Sequence, residues 1–172
     1  YLLVGPEYYI MEEMAGRNVL LVGGGIGMAP LRSLLLYCLA GREKMEHLVL
    51  VYGAKSPLHL VFRKDLVSWQ EQEDVRTVYC VDEEGEGETD LNIREGLVTE
   101  YLEGLDLDPA RTVACICGPE VMMRFVARKL LQEGYASNNI YVGMERRMRC
   151  GTAHCGHCQI GGQRARHLAV DE

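Results

Sequence analysis

The sequence NVLLVGGGIGMAP, residues 18–30, predicts the centre of the fold. Its first five residues form a short apolar run typical of a buried strand. Glycines follow at once, and a helix is expected over residues 30–39, with Pro30 in its first turn. A glycine-rich turn between a strand and a helix lets backbone N–H groups approach a phosphate, so we expect a phosphate-binding loop here.

That loop is weak evidence by itself, because tight turns between strands and helices also use glycine for steric reasons. Its spacing also differs from the dinucleotide fingerprint G-x-G-x-x-G. The stretch therefore indicates a nucleotide-binding fold that is related to the one with that fingerprint but distinct from it.

The rest of the chain alternates short apolar runs with longer amphipathic ones. Such alternation predicts an α/β fold, a doubly wound parallel sheet with helices on both faces, followed by a small cysteine-rich module at the C-terminal end. Further strands are expected over residues 47–52, 75–81, 112–117 and 140–143, and further helices over 58–69, 92–102 and 120–133.

Composition narrows the class of protein. The chain has 172 residues, 48% of them hydrophobic, and a formal net charge of -7. An acidic chain gives no indication of nucleic-acid binding, and no apolar run approaches the ~20 residues of a membrane span. An odd count of seven cysteines without a secretory signal pattern favours a reducing, cytoplasmic location over a disulfide framework.

Three cysteines near the end of the chain, Cys150, Cys155 and Cys158, have the spacing C-x4-C-x2-C. Thiolates at this spacing hold a [2Fe-2S] cluster in plant-type ferredoxins. A Cys3His zinc site that uses one of the histidines near these cysteines is the alternative. The pattern predicts metal binding, and it favours the iron–sulfur cluster.

A second glycine-bearing strand end occurs at Cys117, Gly118 and Pro119. Ligands of open parallel sheets bind beyond the carboxyl ends of the strands, so we expect Cys117 to face the same crevice as Gly25. A buried structural thiol is the alternative role for Cys117, since free cysteines are commonly buried.

Four motifs occur in order along the chain: GGGIGMAPLRSLL, VYGAKSP, CICGPEVMM and MERRMRCGTAHCGHCQIG. Together they resemble electron-transfer subunits of the ferredoxin-NADP reductase superfamily. The gamma subunits of sulfhydrogenases and anaerobic sulfite reductases are most similar, and the electron-transfer subunit of dihydroorotate dehydrogenase B is a near relative. The resemblance implies that FAD accepts hydride from NAD(P)H and that electrons pass through a [2Fe-2S] cluster to a partner catalytic subunit of hydrogenase, sulfite reductase or dihydroorotate dehydrogenase type.

The same resemblance implies the site residues. The pyrophosphate would contact Gly24, Gly25, Gly27 and Met28. The nicotinamide would be flanked by Cys117, Gly118 and Pro119, with Cys117 as the catalytic contact, and iron would be held by Cys150, Cys155 and Cys158. The implied domains are a linker from a flavin-binding barrel (1–17), an NAD(P)-binding domain (18–144) and a [2Fe-2S]-binding module (145–172).

Two departures from the family pattern follow. No Arg-x-Tyr-Ser/Thr string, the family's FAD motif, occurs in this sequence, so we expect no tight FAD binding by this chain alone. Ala169 stands where the family has its last cluster cysteine. A cysteine beyond Glu172, His167 as a nitrogen ligand, or an empty site remain the three alternatives for the fourth ligand.

Acidic residues at the end of the third strand bear on the choice of nucleotide. Asp82, Glu83 and Glu84 would repel a 2'-phosphate, so NADH is favoured over NADPH. Lys55 and Arg63 could instead attract that phosphate. A non-catalytic zinc- or nucleotide-binding regulatory module is the alternative function for the whole chain.

Overall fold

The computed structural model describes residues 13–83 and 90–143. Within them the chain forms one parallel sheet and three α-helices. The strands are β1 (Asn18–Gly24), β2 (Leu48–Ala54), β3 (Arg76–Val81), β4 (Ile93–Glu95), β5 (Thr112–Cys117) and β6 (Ile140–Gly143). The helices are α1 (Met28–Ala40), α2 (Arg63–Gln70) and α3 (Glu120–Gln132).

The strand order is β4-β3-β2-β1-β5-β6, and every neighbouring pair is parallel. The chain thus builds the sheet outward from β1 in one direction and then returns to add β5 on the other side of β1. This order confirms the predicted parallel α/β sheet and places the reversal of winding between β1 and β5. The predicted iron–sulfur module lies outside the described residues.

The central strands are buried on both faces, as expected when helices cover a parallel sheet. One face packs against α1 and α2 through apolar side chains such as Leu35 and Leu66. The other packs against α3 and the turn around Val98. Strand residues alternate between the two clusters, so the period-2 pattern of the sequence determines which side chain meets which helix.

The predicted helix over residues 92–102 is wrong. This segment forms the edge strand β4 and then a 3-10 turn, Val98–Tyr101. Gly96 lies between them with φ +126°, a backbone conformation that interrupts a helix. Pairing with β3 at the free edge of the sheet decides the structure of this short segment, and its own apolar spacing does not.

The helix predicted over residues 58–69 starts later than expected. A 3-10 turn, Pro57–His59, comes first, and α2 begins only at Arg63. Phe62 separates the two with a left-handed backbone, φ 58° and ψ 36°. The break leaves residues 60–62 as an irregular connection between the 3-10 turn and α2.

Residues just before β1 pack on the domain. The Met14 side chain is fully buried, and its Sδ lies 3.9 Å from the Sγ of Cys38 on α1. Residues 1–12 lie outside the described part, so the linker assigned to residues 1–17 stays a prediction. Among the described residues, no helix has both the length and the apolar character needed to cross a membrane.

Candidate nucleotide-binding site at the carboxyl edge of the sheet

The candidate site is centred where the winding of the sheet reverses. β1 lies between β2 and β5, and Gly23 pairs in register with both Tyr52 and Cys117. The loops that follow β1 and β5 therefore leave the sheet side by side. Loops that diverge from such a point form the crevice in which α/β proteins bind nucleotides.

The two loops are in direct backbone contact. A Cβ added to Gly27 would lie 2.4 Å from the Cys117 carbonyl oxygen and 2.6 Å from the Gly118 Cα. A Cβ added to Gly118 would lie 2.9 Å from both the Cα and the N of Gly24. Only glycine fits at Gly27, because all the atoms that a side chain would meet there are backbone atoms; at Gly118 a side chain would meet the Gly24 backbone and also Met122 Cε, at 2.8 Å.

Gly25 differs from its neighbours because it faces open space. Its φ is +52°, and no heavy atom lies within 4 Å of the position that a Cβ would take. The 3-10 turn Gly25–Gly27 leads directly into α1, so this space lies beside the N-terminal end of that helix. The partial positive charge of a helix N-terminus and an uncovered glycine backbone fit an anionic pyrophosphate.

Met28 does not reach this open space with its side chain. It is the first residue of α1, and its side chain is fully buried below the loop. Its backbone N–H donates to the Gly25 and Ile26 carbonyl oxygens, so the contact of Met28 with a pyrophosphate stays a prediction.

Cys117 lies at the end of β5, beside the glycine loop, but its side chain is buried. The thiol donates to the Gly143 carbonyl oxygen on β6 at 3.4 Å. The carbonyl oxygen of Cys117 faces Gly27, as the distance from an added Cβ shows. The structure therefore places Cys117 next to the crevice, and its catalytic role stays a prediction.

Tyr52, at the carboxyl end of β2, contacts two of the loops at this edge. Its side chain is fully buried, its hydroxyl donates to the Gly25 carbonyl oxygen at 3.0 Å, and the same hydroxyl accepts from the Val61 N–H at 3.1 Å. Burial raises the pKa of Tyr52 above its ordinary value, so the hydroxyl keeps its proton. One phenol thus connects the glycine loop with the connection that precedes α2.

Phe62 belongs to that connection and is partly exposed. The Cζ of Arg32, on α1, lies 5.2 Å from the centre of the Phe62 ring, within cation–π range. The Arg32 Nε also donates to Asp65 Oδ2 at 2.6 Å. A left-handed conformation is rare for a bulky residue and persists only where the surroundings hold it.

Acidic and basic groups meet at the end of β3. Asp82 is exposed, and its N–H donates to the Ala54 carbonyl oxygen at 3.1 Å. The N–H of Glu83 donates to the Lys55 carbonyl oxygen at the same distance. Lys55 is exposed as well, so a nucleotide at this edge would meet charges of both signs.

The predicted cluster ligands Cys150, Cys155 and Cys158 lie outside the described residues. No group of His, Cys, Asp and Glu side chains that could hold a metal occurs within 13–83 and 90–143. The four cysteines within those ranges are buried and form no disulfide. Three of them, Cys38, Cys80 and Cys115, lie in the core.

Sequence reasoning missed Tyr52, Phe62 and Arg32. Tyr52 carried a signal that could have been used, since a tyrosine at the carboxyl end of a buried strand needs a partner for its hydroxyl. Phe62 and Arg32 carried none, because their contact depends on how α1 and α2 pack on the sheet.

Comparison with known proteins agrees with the geometry. Residues 21–128 match the family described as oxidoreductase NAD-binding domain. The chain is 38% identical over 163 residues to sulfhydrogenase 2 subunit gamma of Pyrococcus furiosus, covering 88% of this chain and 55% of that protein. It is 34% identical over 146 residues to a probable dihydroorotate dehydrogenase B (NAD(+)) electron transfer subunit of Methanothermobacter thermautotrophicus, covering 85% and 48%.

Solved structures show the same fold. A ferredoxin NADP+ reductase from Neisseria gonorrhoeae with bound FAD and NADP matches with a TM-score of 0.64 and 22% identity, over 77% of this chain and 58% of that one. An NADH-dependent reduced ferredoxin-NADP oxidoreductase matches with a TM-score of 0.57 and 27% identity, over 82% and 45%. The chain spans about half the length of the curated relatives it matches.

Proposed function

Because the chain belongs to the oxidoreductase NAD-binding domain family, in its ferredoxin-NADP reductase-like form, we propose that it carries the nucleotide and iron–sulfur portion of an electron-transfer subunit. In this proposal electrons pass between NAD(P)H, FAD, a [2Fe-2S] cluster and a partner catalytic subunit. The relatives named above are subunits of a sulfhydrogenase and of a dihydroorotate dehydrogenase, and a hydrogenase, sulfite reductase or dihydroorotate dehydrogenase partner is proposed by that similarity.

The observation that carries the proposal is the backbone contact between the loops after β1 and β5. Gly27 abuts the Cys117 carbonyl, Gly118 abuts Gly24, and Gly25 beside them faces open space. This arrangement leaves the Gly25 backbone uncovered, and a pyrophosphate there would contact the loop formed by Gly24, Gly25, Gly27 and Met28. The adjacent turn of Cys117, Gly118 and Pro119 would then flank the nicotinamide.

The work of the chain in this reaction is alignment. A flavin, when bound, converts the two-electron hydride into single electrons. Hydride transfer depends on holding the donor and acceptor atoms close and in line more than on proton transfer by side chains. Two loops in backbone contact hold such a geometry without relying on flexible side chains.

The adenosine end of the nucleotide would lie beyond β2 and β3. The Phe62 ring is 39% exposed there, and Arg32 lies over it. A flat ring of this kind suits an adenine base. Asp82 and Glu83 at the end of β3 favour a ribose without a 2'-phosphate, so we propose NADH as the preferred nucleotide.

The iron–sulfur assignment rests on the sequence alone, on Cys150, Cys155 and Cys158 at C-x4-C-x2-C spacing. Its test is the metal content of the full chain, purified anaerobically with its natural partners. We expect two irons and acid-labile sulfide per chain, with the visible absorption of an oxidised [2Fe-2S] cluster. Zinc without iron or labile sulfide would instead support the regulatory module.

The nucleotide assignment has a separate test, titration of the full chain with NADH, NADPH and ADP-ribose in a calorimeter. We expect saturable binding of NADH and ADP-ribose, and weaker binding of NADPH. If none of the three ligands binds, the proposed function is refuted.

A further inference from the structure

Two groups of backbone atoms at the nucleotide edge share one buried partner, the Tyr52 hydroxyl. It donates to the Gly25 carbonyl oxygen on the loop after β1, and it accepts from the Val61 N–H on the connection after β2. Since the two loops come from different strands, the phenol is a direct link between them.

The bond to Gly25 fixes the direction of a peptide group. In a trans peptide the C=O and the following N–H point to opposite sides. Because the Gly25 carbonyl points inward to Tyr52, the Ile26 N–H points outward, toward the space in which the pyrophosphate would lie. The Met28 N–H donates to the same carbonyl, so the hydroxyl and α1 hold it together.

The bond to Val61 acts at the other end. It occupies the backbone N–H directly before Phe62, the residue with the left-handed backbone. The Phe62 carbonyl oxygen is in turn held by the Asp65 N–H at 2.9 Å. Tyr52 and the first turn of α2 therefore hold Phe62 from both sides along the chain.

We propose that Tyr52 is a positioning residue for the nucleotide, one that holds the pyrophosphate loop and the Phe62 segment in a fixed relation. This inference rests on the proposed function, because it presumes that a dinucleotide spans the two loops. Tyr52 acts through backbone atoms and is not itself a ligand contact, as its complete burial requires.

Tyr79 provides a matched control for the test. It lies on β3, contributes to the same face of the sheet, and is 1% exposed. Its hydroxyl donates to the Leu66 carbonyl oxygen at 2.9 Å, on α2 and outside both loops. Tyr79→Phe therefore removes a buried hydroxyl that bonds backbone, as Tyr52→Phe does, but it leaves the candidate site intact.

The experiment compares the dissociation constants of NADH and ADP-ribose for the full-length wild type, Tyr52→Phe and Tyr79→Phe. We expect Tyr52→Phe to raise both constants roughly tenfold, because two backbone groups lose their partner. Tyr79→Phe should change them less than about twofold at a similar loss of thermal stability. Equal constants for the two variants would overturn the inference, whereas a wild type that binds neither ligand would refute the proposed function itself.

A measurement on the wild type covers the case in which Tyr52→Phe does not fold. Inorganic pyrophosphate is added until the amides of residues 25–28 are protected from hydrogen exchange, and the exchange of the Val61 amide is then compared with that of the free protein. Coupling through Tyr52 predicts slower exchange at Val61, although pyrophosphate is too small to fill both loops. Unchanged exchange at Val61 would overturn the inference.

Discussion

The guanidinium of Arg32 lies 5.2 Å from the centre of the Phe62 ring and donates through Nε to Asp65. A residue of α1 thereby holds both the first turn of α2 and the aromatic side chain that precedes it. One face of the Phe62 ring contacts this cation. An adenine base would therefore have to stack on the other face.

Arg32→Gln should weaken NADH binding several-fold, because it frees the Phe62 ring and the start of α2. The loss of the ion pair and the cation–π contact together should lower the unfolding free energy by about 1 kcal/mol, since both groups are about one-third exposed. Arg32→Lys should recover part of the affinity. Titration with NADH and urea denaturation measure the two effects.

Arg94 supplies the control for that change. Arg94 lies on the edge strand β4, and its Cζ is 5.5 Å from the centre of the Tyr101 ring. Arg94→Gln should leave the NADH dissociation constant unchanged. A similar loss of affinity in both variants would mean that Arg32 acts through general charge and not through Phe62.

Gly27→Ala should prevent stable folding of the glycine loop, because the new Cβ would lie 2.4 Å from a backbone oxygen. Gly25→Ala should fold, at a cost of roughly 1 kcal/mol for its left-handed backbone, and should lose nucleotide affinity because the new methyl enters the open space. Thermal melts and ADP-ribose titration separate the two outcomes. A Gly25→Ala variant with full affinity would place the pyrophosphate elsewhere.

Removing acidic charge at the end of β3 should relax the choice between the nucleotides. For Asp82→Asn combined with Glu83→Gln, the ratio of NADPH to NADH dissociation constants should fall several-fold. Lys55→Gln should raise that ratio, since it removes the cation at the same edge. Both effects should shrink as salt is added, because the three groups are exposed. If none of the three substitutions changes this ratio, the preference between NADH and NADPH does not originate at this edge of the sheet.

Two core thiols make stability fall in mild alkali. Burial raises the pKa of Cys38 and of Cys80 from 9.0 to about 12. Above pH 9 the unfolded chain releases these protons while the folded chain keeps them, so each thiol lowers the unfolding free energy by up to about 1.4 kcal/mol per pH unit until about pH 12. The unfolding free energies of the wild type and Cys80→Ala can be measured by urea denaturation at several pH values between 8 and 10. The unfolding free energy of the variant should fall less steeply with pH. The same pH dependence of stability in both proteins would contradict a raised pKa for Cys80.

The sheet could be predicted from local pattern wherever a strand is buried on both faces. β5 has the predicted bounds, because an apolar run and its flanking breakers both mark it. The edge strand β4 could not be predicted, since three residues beside Gly96 become a strand only through pairing with β3.

The glycines of the candidate site could be located from the sequence, but the contacts that hold them in place could not. Gly24, Gly25 and Gly27 stand in one uninterrupted motif, whereas the contact of Gly27 with Cys117 joins positions 90 residues apart in the sequence. The bonds of Tyr52 and the contact of Arg32 with Phe62 likewise depend on tertiary packing. Hydrophobic periodicity cannot predict such contacts, because it describes one helix or strand at a time.

The contact of Gly118 with Gly24 separates alignment from recognition. The backbones of these two glycines meet directly, with the Met122 side chain beside them, so most side-chain substitutions elsewhere leave the spacing of the two loops unchanged. If Asp82 and Lys55 select the nucleotide as proposed, we expect substitutions there to alter that choice without changing this contact. A side chain gained at Gly118 would have to be accommodated by the backbone of Gly24 and by Met122, whereas one gained at Gly24 would meet the side chains of Met122 and Pro119.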